Sequence, residues 1–356
     1  MYIFISIIAF GLMIAIHELG HFVAAKALNV KVNEFAIGMG PKLLSKQGKE
    51  TLFSLRLIPF GGFCAMEGQD EASDDIRAFS SQKRWRRIVI LAGGGIFNLI
   101  AAFIIVVILS FQANAFATST ITGLFDDHPL EGPEGLMAGD QIIRINGERV
   151  FYMGDFSLFM NLAGGENVDL VVRRDGQRVE LNNFPLYPRE FMFNGELQLR
   201  FGLSFEVIEA TPMQSLRYAL YSMMNYVRIV RISLVHLFSG LVGFDGLAGP
   251  VQLVAVMGDI GQQAPTWSAA LASIAGLVAF IMVNLAVMNF LPIPALDGGR
   301  IVLIFISWAI EKIVRRPLDP KYEGYINTAF FVLLIGLMIF ILFNDIINLT
   351  GRGYGQ

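Results

Sequence analysis

The sequence predicts a polytopic α-helical membrane protein with four transmembrane helices and one inserted β-rich domain. Three observations carry this. Of 356 residues, 54% are hydrophobic and only 16% charged, whereas a soluble domain carries about 25% charged residues. Four apolar segments exceed the roughly 18 residues that suggest a spanning helix. Between the second and third lies a long polar stretch with the alternating texture of strands. A net charge of −3 gives no reason to expect a nucleic-acid partner. The single cysteine, Cys64, excludes an intrachain disulfide and a Cys-based zinc site.

The first span occupies residues 1–29 and is apolar from Tyr2 to Leu28, with a polar cluster near its end. It lacks the basic start and small-residue cleavage site of a signal peptide. Residues 30–87 form a loop region and 88–111 the second span. Residues 115–206 read as the β-rich domain: two alternating runs, 135–150 and 168–179, turn at Asn146-Gly147 and Asp175-Gly176, dipeptides typical of tight hairpins. Residues 207–268 are amphipathic, with Arg217, Arg228 and Arg231 set among apolar residues, and are expected to lie along the membrane surface. The third span with a cytoplasmic extension covers 269–316, and the fourth 324–345. Every lysine falls at 26, 31, 42, 46, 49, 83, 312 or 321. With Arg84, Arg86, Arg87, Arg315 and Arg316 they mark the loops after the first and third spans as cytoplasmic. Both termini and the β-rich domain are then expected on the outer side.

His17-Glu18-Leu19-Gly20-His21 is an HExxH motif near the cytoplasmic end of the first span. On a helix, positions i and i+4 share a face, so both imidazoles can hold one ion, with Glu18 beside it as general base. Ionisable residues inside a span are costly and usually mark function. Two histidines leave zinc one ligand short of a catalytic set. His128 and His236 are poor candidates because both fall on the outer side. Asp297 is the better one: it follows Pro292 and Pro294 at the cytoplasmic end of the third span. A plain turn residue ahead of Gly298-Gly299 is the other reading of Asp297.

His17-Glu18-x-x-His21 together with Asn289-x-x-Pro292-x-x-x-x-Asp297-Gly298 resembles the site-2 protease family of intramembrane metalloproteases. Gly135-Leu-x-x-Gly-Asp-x-Ile-x-x-Ile-Asn-Gly147 looks like the core of a PDZ domain, placed as in the bacterial branch of that family with a single PDZ domain. The resemblance implies one zinc ion per chain held by His17, His21 and Asp297, with Glu18 catalytic. It implies a membrane-reentrant β hairpin loop within residues 30–65, where Gly61 and Gly62 meet a substrate strand, and a substrate-positioning role for Asn289 and Pro292. Gly94-x-x-x-Asn98 resembles a further family motif; small-residue helix packing explains it as well. The PDZ-like segment lacks an apolar carboxylate loop, and Asp126 and Asp127 would repel a substrate C-terminus.

The implied function is zinc-dependent intramembrane endopeptidase. Implied partners are the lipid bilayer and single-span transmembrane substrates, such as anti-sigma factors or signal-peptide remnants, already trimmed by a site-1 type protease. The implied location is the bacterial cytoplasmic (inner) membrane, as a multi-pass protein with its active site toward the cytoplasm. The alternative reading is a membrane transporter or metal-ion carrier with an intramembrane His/Asp site. A non-enzymatic adaptor built on the PDZ-like domain is a third, and it expects Glu18→Gln to be silent.

Overall fold

The computed structural model describes residues 2–69, 73–125, 128–193, 196–240, 249–316 and 321–351. Asp126 and Asp127 therefore lie outside the described residues. The chain divides into two compact units, Met1–Leu109 with Ser222–Gln356, and Ser110–Tyr221.

The first unit is built from long apolar helices. Four are long and apolar enough to cross a membrane: α1 (Tyr2–Ala27), α2 (Arg84–Gln112), α6 (Trp267–Asn289) and the stretch Gly324–Ile341 within α8 (Lys321–Gly351). Their outward residues are apolar too. Ile96, Ile100, Ile104 and Ile108 recur every fourth position along α2 and all are exposed. An apolar stripe turned outward suits a helix surrounded by hydrocarbon, not water. α5 (Pro250–Gln263) carries proline at its first position, where no intrahelical N–H is lost. It packs on α1 and α6.

α1 and α2 cross closely because glycines meet. A Cβ built on Gly20 would lie 2.2 Å from the Gly93 carbonyl oxygen, so neither position tolerates a side chain. Between these helices in sequence come β1 (Val32–Gln47) and β2 (Leu52–Met66), which pair antiparallel. The hairpin folds back on itself. Glu34–Ile37 face both Gly62–Ala65 and Leu52–Leu55, while Lys42–Gln47 pair with Leu52–Arg56. Val30, Val32, Cys64, Met66, Ile90 and Ile304 form one buried cluster, so the hairpin shares a core with α2 and with α7 (Asp297–Val314).

The second unit is a sheet in the order β10-β3-β4-β6-β7, with β5 attached to β4. Its strands are β3 (Ala115–Leu124), β4 (Gln141–Ile145), β5 (Glu148–Arg149), β6 (Val168–Arg174), β7 (Gln177–Phe184) and β10 (Leu203–Glu209). A separate pair, β8 (Arg189–Phe193) with β9 (Glu196–Arg200), and the helix α3 (Met153–Leu162) complete it. Asn146-Gly147 and Asp175-Gly176 make its tight turns, with φ of 48°, 82°, 49° and 81°, the paired left-handed residues of a type I′ hairpin. Ile121, Ile142, Ile145, Leu170 and Val172 are buried on one side of the sheet. Asp140 is fully buried, and Arg174 donates to both its oxygens at 2.8 and 2.7 Å. Arg174 also donates to the Pro133 and Gly135 carbonyls at 2.7 Å. This bidentate pairing ties the loop before β4 to the end of β6.

The structure divides residues 207–268 differently from the sequence reading. β10 runs to Glu209, and two helices follow, α4 (Pro212–Phe238) and α5. Within 269–316, α6 stops at Asn289 and α7 begins at Asp297. Pro292 and Pro294 supply no N–H for a continuous helix.

Candidate metal centre

His17 and His21 occupy one face of α1 and are 8% and 6% exposed. Asp297 reaches them through the break between α6 and α7. After Phe290 caps α6, the chain passes Pro292 and Pro294 and takes a positive φ of 76° at Ala295. It then restarts as α7. A Cβ on Gly299 would lie 2.0 Å from the Ile293 carbonyl oxygen. Only glycine lets the turn close so tightly on the first turn of α7, and this closure sets the position of Asp297. Asp297 also lies in the first turn of its helix, where the helix dipole favours a carboxylate.

The donor atoms form a small triangle. His17 Nε2 lies 3.3 Å and His21 Nε2 3.2 Å from Asp297 Oδ2, and the two Nε2 atoms are 3.3 Å apart. Nitrogen and oxygen ligands about 2.0–2.1 Å from a tetrahedral zinc lie about 3.3 Å from each other. The triangle therefore matches one face of such a tetrahedron in size, and two imidazoles with a carboxylate are a zinc-type donor set. Among the described residues this is the one group of three or more potential ligands close enough to share an ion. His128 and His236 are not in it. His128 is instead held inside the β unit, where its Nε2–H donates to the Phe201 carbonyl at 3.0 Å and its Nδ1 accepts from Leu130 N–H at 3.2 Å.

Glu18 sits beside the triangle. A Cβ on Gly62 would lie 3.5 Å from Glu18 Cγ, so β2 runs alongside the carboxylate. Gly61 takes a φ of 102° and packs against Met39. Asn289 is half-buried at the end of α6 and Pro292 is exposed in the break. Among the described residues no hydrogen bond joins either of them to the triangle.

Two supports come from α2. The His21 Nδ1–H donates to the Ile90 carbonyl at 2.9 Å, and the Asn98 side-chain amide meets His17 Nδ1 at 3.3 Å. Ile90 carried no sequence signal at all, because a main-chain carbonyl has no residue identity. Gly94 forms the wall between these contacts: a Cβ there would lie 2.4 Å from His21 Nε2 and 2.6 Å from His17 Cε1.

A profile of peptidase family M50 matches residues 5–337. A relative from Clostridium acetobutylicum, named as a zinc metalloprotease, is 36% identical over 346 residues, 97% of each chain. One from Clostridium perfringens, similarly named, is 33% identical over 98% of this chain and 99% of its own. The regulator of sigma-W protease RasP from Bacillus subtilis is 25% identical over 96% of this chain and 97% of its own.

Proposed function

The chain belongs to peptidase family M50, the site-2 proteases, and is a zinc metalloprotease; from that premise we propose that it cuts peptide bonds within or beside the transmembrane segments of single-span proteins. The triangle of His17, His21 and Asp297 donor atoms carries this reading, because two of its corners stand on a helix apolar enough to cross a bilayer, with the Glu18 carboxylate alongside. His17, His21 and Asp297 would hold the ion, which when bound supplies a Lewis acid that acidifies water and polarises a carbonyl. Glu18 takes the proton of the attacking water and passes it to the departing amide nitrogen. β2, which passes Glu18 Cγ at Gly62, flanks that carboxylate while it does so.

A helical substrate hides its carbonyls, and unwinding it in lipid strips its backbone of partners. β2 answers this need. Read as part of a membrane-reentrant hairpin, it offers main-chain groups at Gly61 and Gly62 to an extended substrate strand, right beside Glu18. Asn289 and Pro292 position the substrate from the α6–α7 connection, where the broken helix frees further backbone groups. The lysine and arginine distribution supports a multi-pass protein of the bacterial cytoplasmic membrane. The active site then faces the cytoplasm, and both termini and the β unit lie outside. There the β unit, read as PDZ-like, screens substrates by bulk and admits those already shortened by a site-1 type protease. The likeness to a protease named for sigma-W regulation supports membrane-anchored anti-sigma factors as one substrate class.

The test is purified full-length chain reconstituted with a single-span reporter substrate. Glu18→Gln should retain stoichiometric zinc and lose activity by about 10²–10⁴-fold, the usual worth of a general acid–base. Asp297→Asn and His17→Ala should lose the zinc itself. Full cleavage by the Glu18→Gln protein overturns the reading.

A further inference from the structure

Asn98 is fully buried on α2, and its side-chain oxygen has no hydrogen-bond partner among the described residues, while its amide nitrogen lies 3.3 Å from His17 Nδ1. The two ends of an amide have nearly the same shape, and their partners decide which end points where. If the nitrogen faces His17, then Nδ1 must accept, and the imidazole proton sits on Nε2. That proton would point into the triangle from a nitrogen 3.3 Å from both Asp297 Oδ2 and His21 Nε2. A protonated Nε2 has no lone pair for a metal. If the oxygen faces His17, the proton sits on Nδ1 and the Nε2 lone pair is free.

His21 already shows the second arrangement, with its Nδ1–H donating to the Ile90 carbonyl at 2.9 Å. α2 thus meets both imidazoles at the nitrogen remote from the triangle, once through the main chain and once through a side chain. We infer that the Asn98 side-chain oxygen accepts the Nδ1–H of His17 and holds that imidazole in its ligating tautomer. Asn98 is then a positioning residue: it acts on the metal through His17. The inference rests on His17, His21 and Asp297 being the zinc ligands.

A space-filling role and a tautomer-setting role predict opposite orders among substitutions. Leucine matches the shape of asparagine and accepts nothing. Aspartate keeps the acceptor but buries a charge, which packing alone would punish. Zinc affinity of the detergent-solubilised full-length chain, measured by competition with a chelator, reads the difference without reference to activity. Thermal unfolding of the metal-free proteins reads packing separately. Asn98→Leu should bind zinc about 10–100-fold more weakly than wild type, the range expected when a partner of a ligating histidine is lost. Its metal-free midpoint should not fall. Asn98→Asp should bind zinc at least about tenfold more tightly than Asn98→Leu. Should the leucine protein fail to accumulate, Asn98→Ala makes the same comparison. Wild-type affinity in Asn98→Leu, or equal loss in both variants, overturns the inference while leaving the metal site standing. Zinc binding by His17→Ala as tight as wild type removes the metal site, and the inference with it.

Discussion

At Gly94 one methyl group separates two kinds of failure. A Cβ there would press on His21 Nε2 and His17 Cε1, at 2.4 and 2.6 Å. Alanine in mid-helix otherwise gains up to about 1 kcal/mol over glycine. Against that gain the two buried imidazoles must shift, so Gly94→Ala should weaken zinc binding at least about tenfold, comparable to losing an outer partner of a ligand. Gly93→Ala meets the Gly20 carbonyl at 2.7 Å instead. It should lower the thermal midpoint, at a cost of about 1–3 kcal/mol for overpacking. Calorimetry and chelator competition on both variants separate the two. The pairing of His17 with His21 was legible in the sequence because helical spacing alone places i and i+4 together. The Gly94-x-x-x-Asn98 spacing was visible, but not its task. Small residues four apart fit plain helix packing equally well, and only the rotation of α2 about its axis turns Gly94 and Asn98 toward the histidines.

Among the elements, the hairpin between α1 and α2 is pinned by charge as well as by its core. Glu50 accepts from Lys26 Nζ at 2.6 Å and from Arg77 Nη2 at 2.5 Å, which hold its carboxyl down at about 2. Glu67 accepts from Ser73 Oγ, Asn33 Nδ2 and Lys31 Nζ, and is likewise held at about 2. The ordinary value for both is 4.5. A depressed carboxyl stabilises the fold fully above its unfolded value and loses that contribution as pH falls from 4.5 through about 2. The denaturant midpoint should thus fall across that window. Glu50→Gln with Glu67→Gln should flatten the fall, and high salt should shrink it because these groups are near the surface. An unchanged acid slope in the double variant would refute the assignment. The proline break that frees Asp297 could be read from the sequence. The doubled-back pairing of Glu34–Ile37 could not, since strand partners distant in sequence leave no local pattern.

Across the whole molecule, the β unit enters and leaves through neighbouring strands. Ala115 on β3 pairs with Glu209 on β10, and Ala210 N–H donates to the Asn114 carbonyl at 3.0 Å. Hydrogen-bonded strands lie about 4.8 Å apart, so removing residues 115–209 and joining Asn114 to Ala210 through a short linker bridges only that gap. The shortened chain should still bind zinc and cleave the reporter substrate, and it should also accept substrates with bulky outer domains that the intact chain rejects. Loss of zinc from the shortened chain would show that the β unit supports the metal site. Unchanged selectivity would remove its screening role. The insertion itself was legible from its polar, alternating texture. Its closure was not, because the texture reports each strand alone and says nothing of which two become neighbours.

A detour whose two ends touch presents its host with the same pair of anchor points whatever lies between them. Modules of other lengths can be spliced at Asn114 and Ala210 across the same gap, so under the screening role proposed for the β unit the choice of substrate can drift over evolutionary time while the metal site keeps its residues.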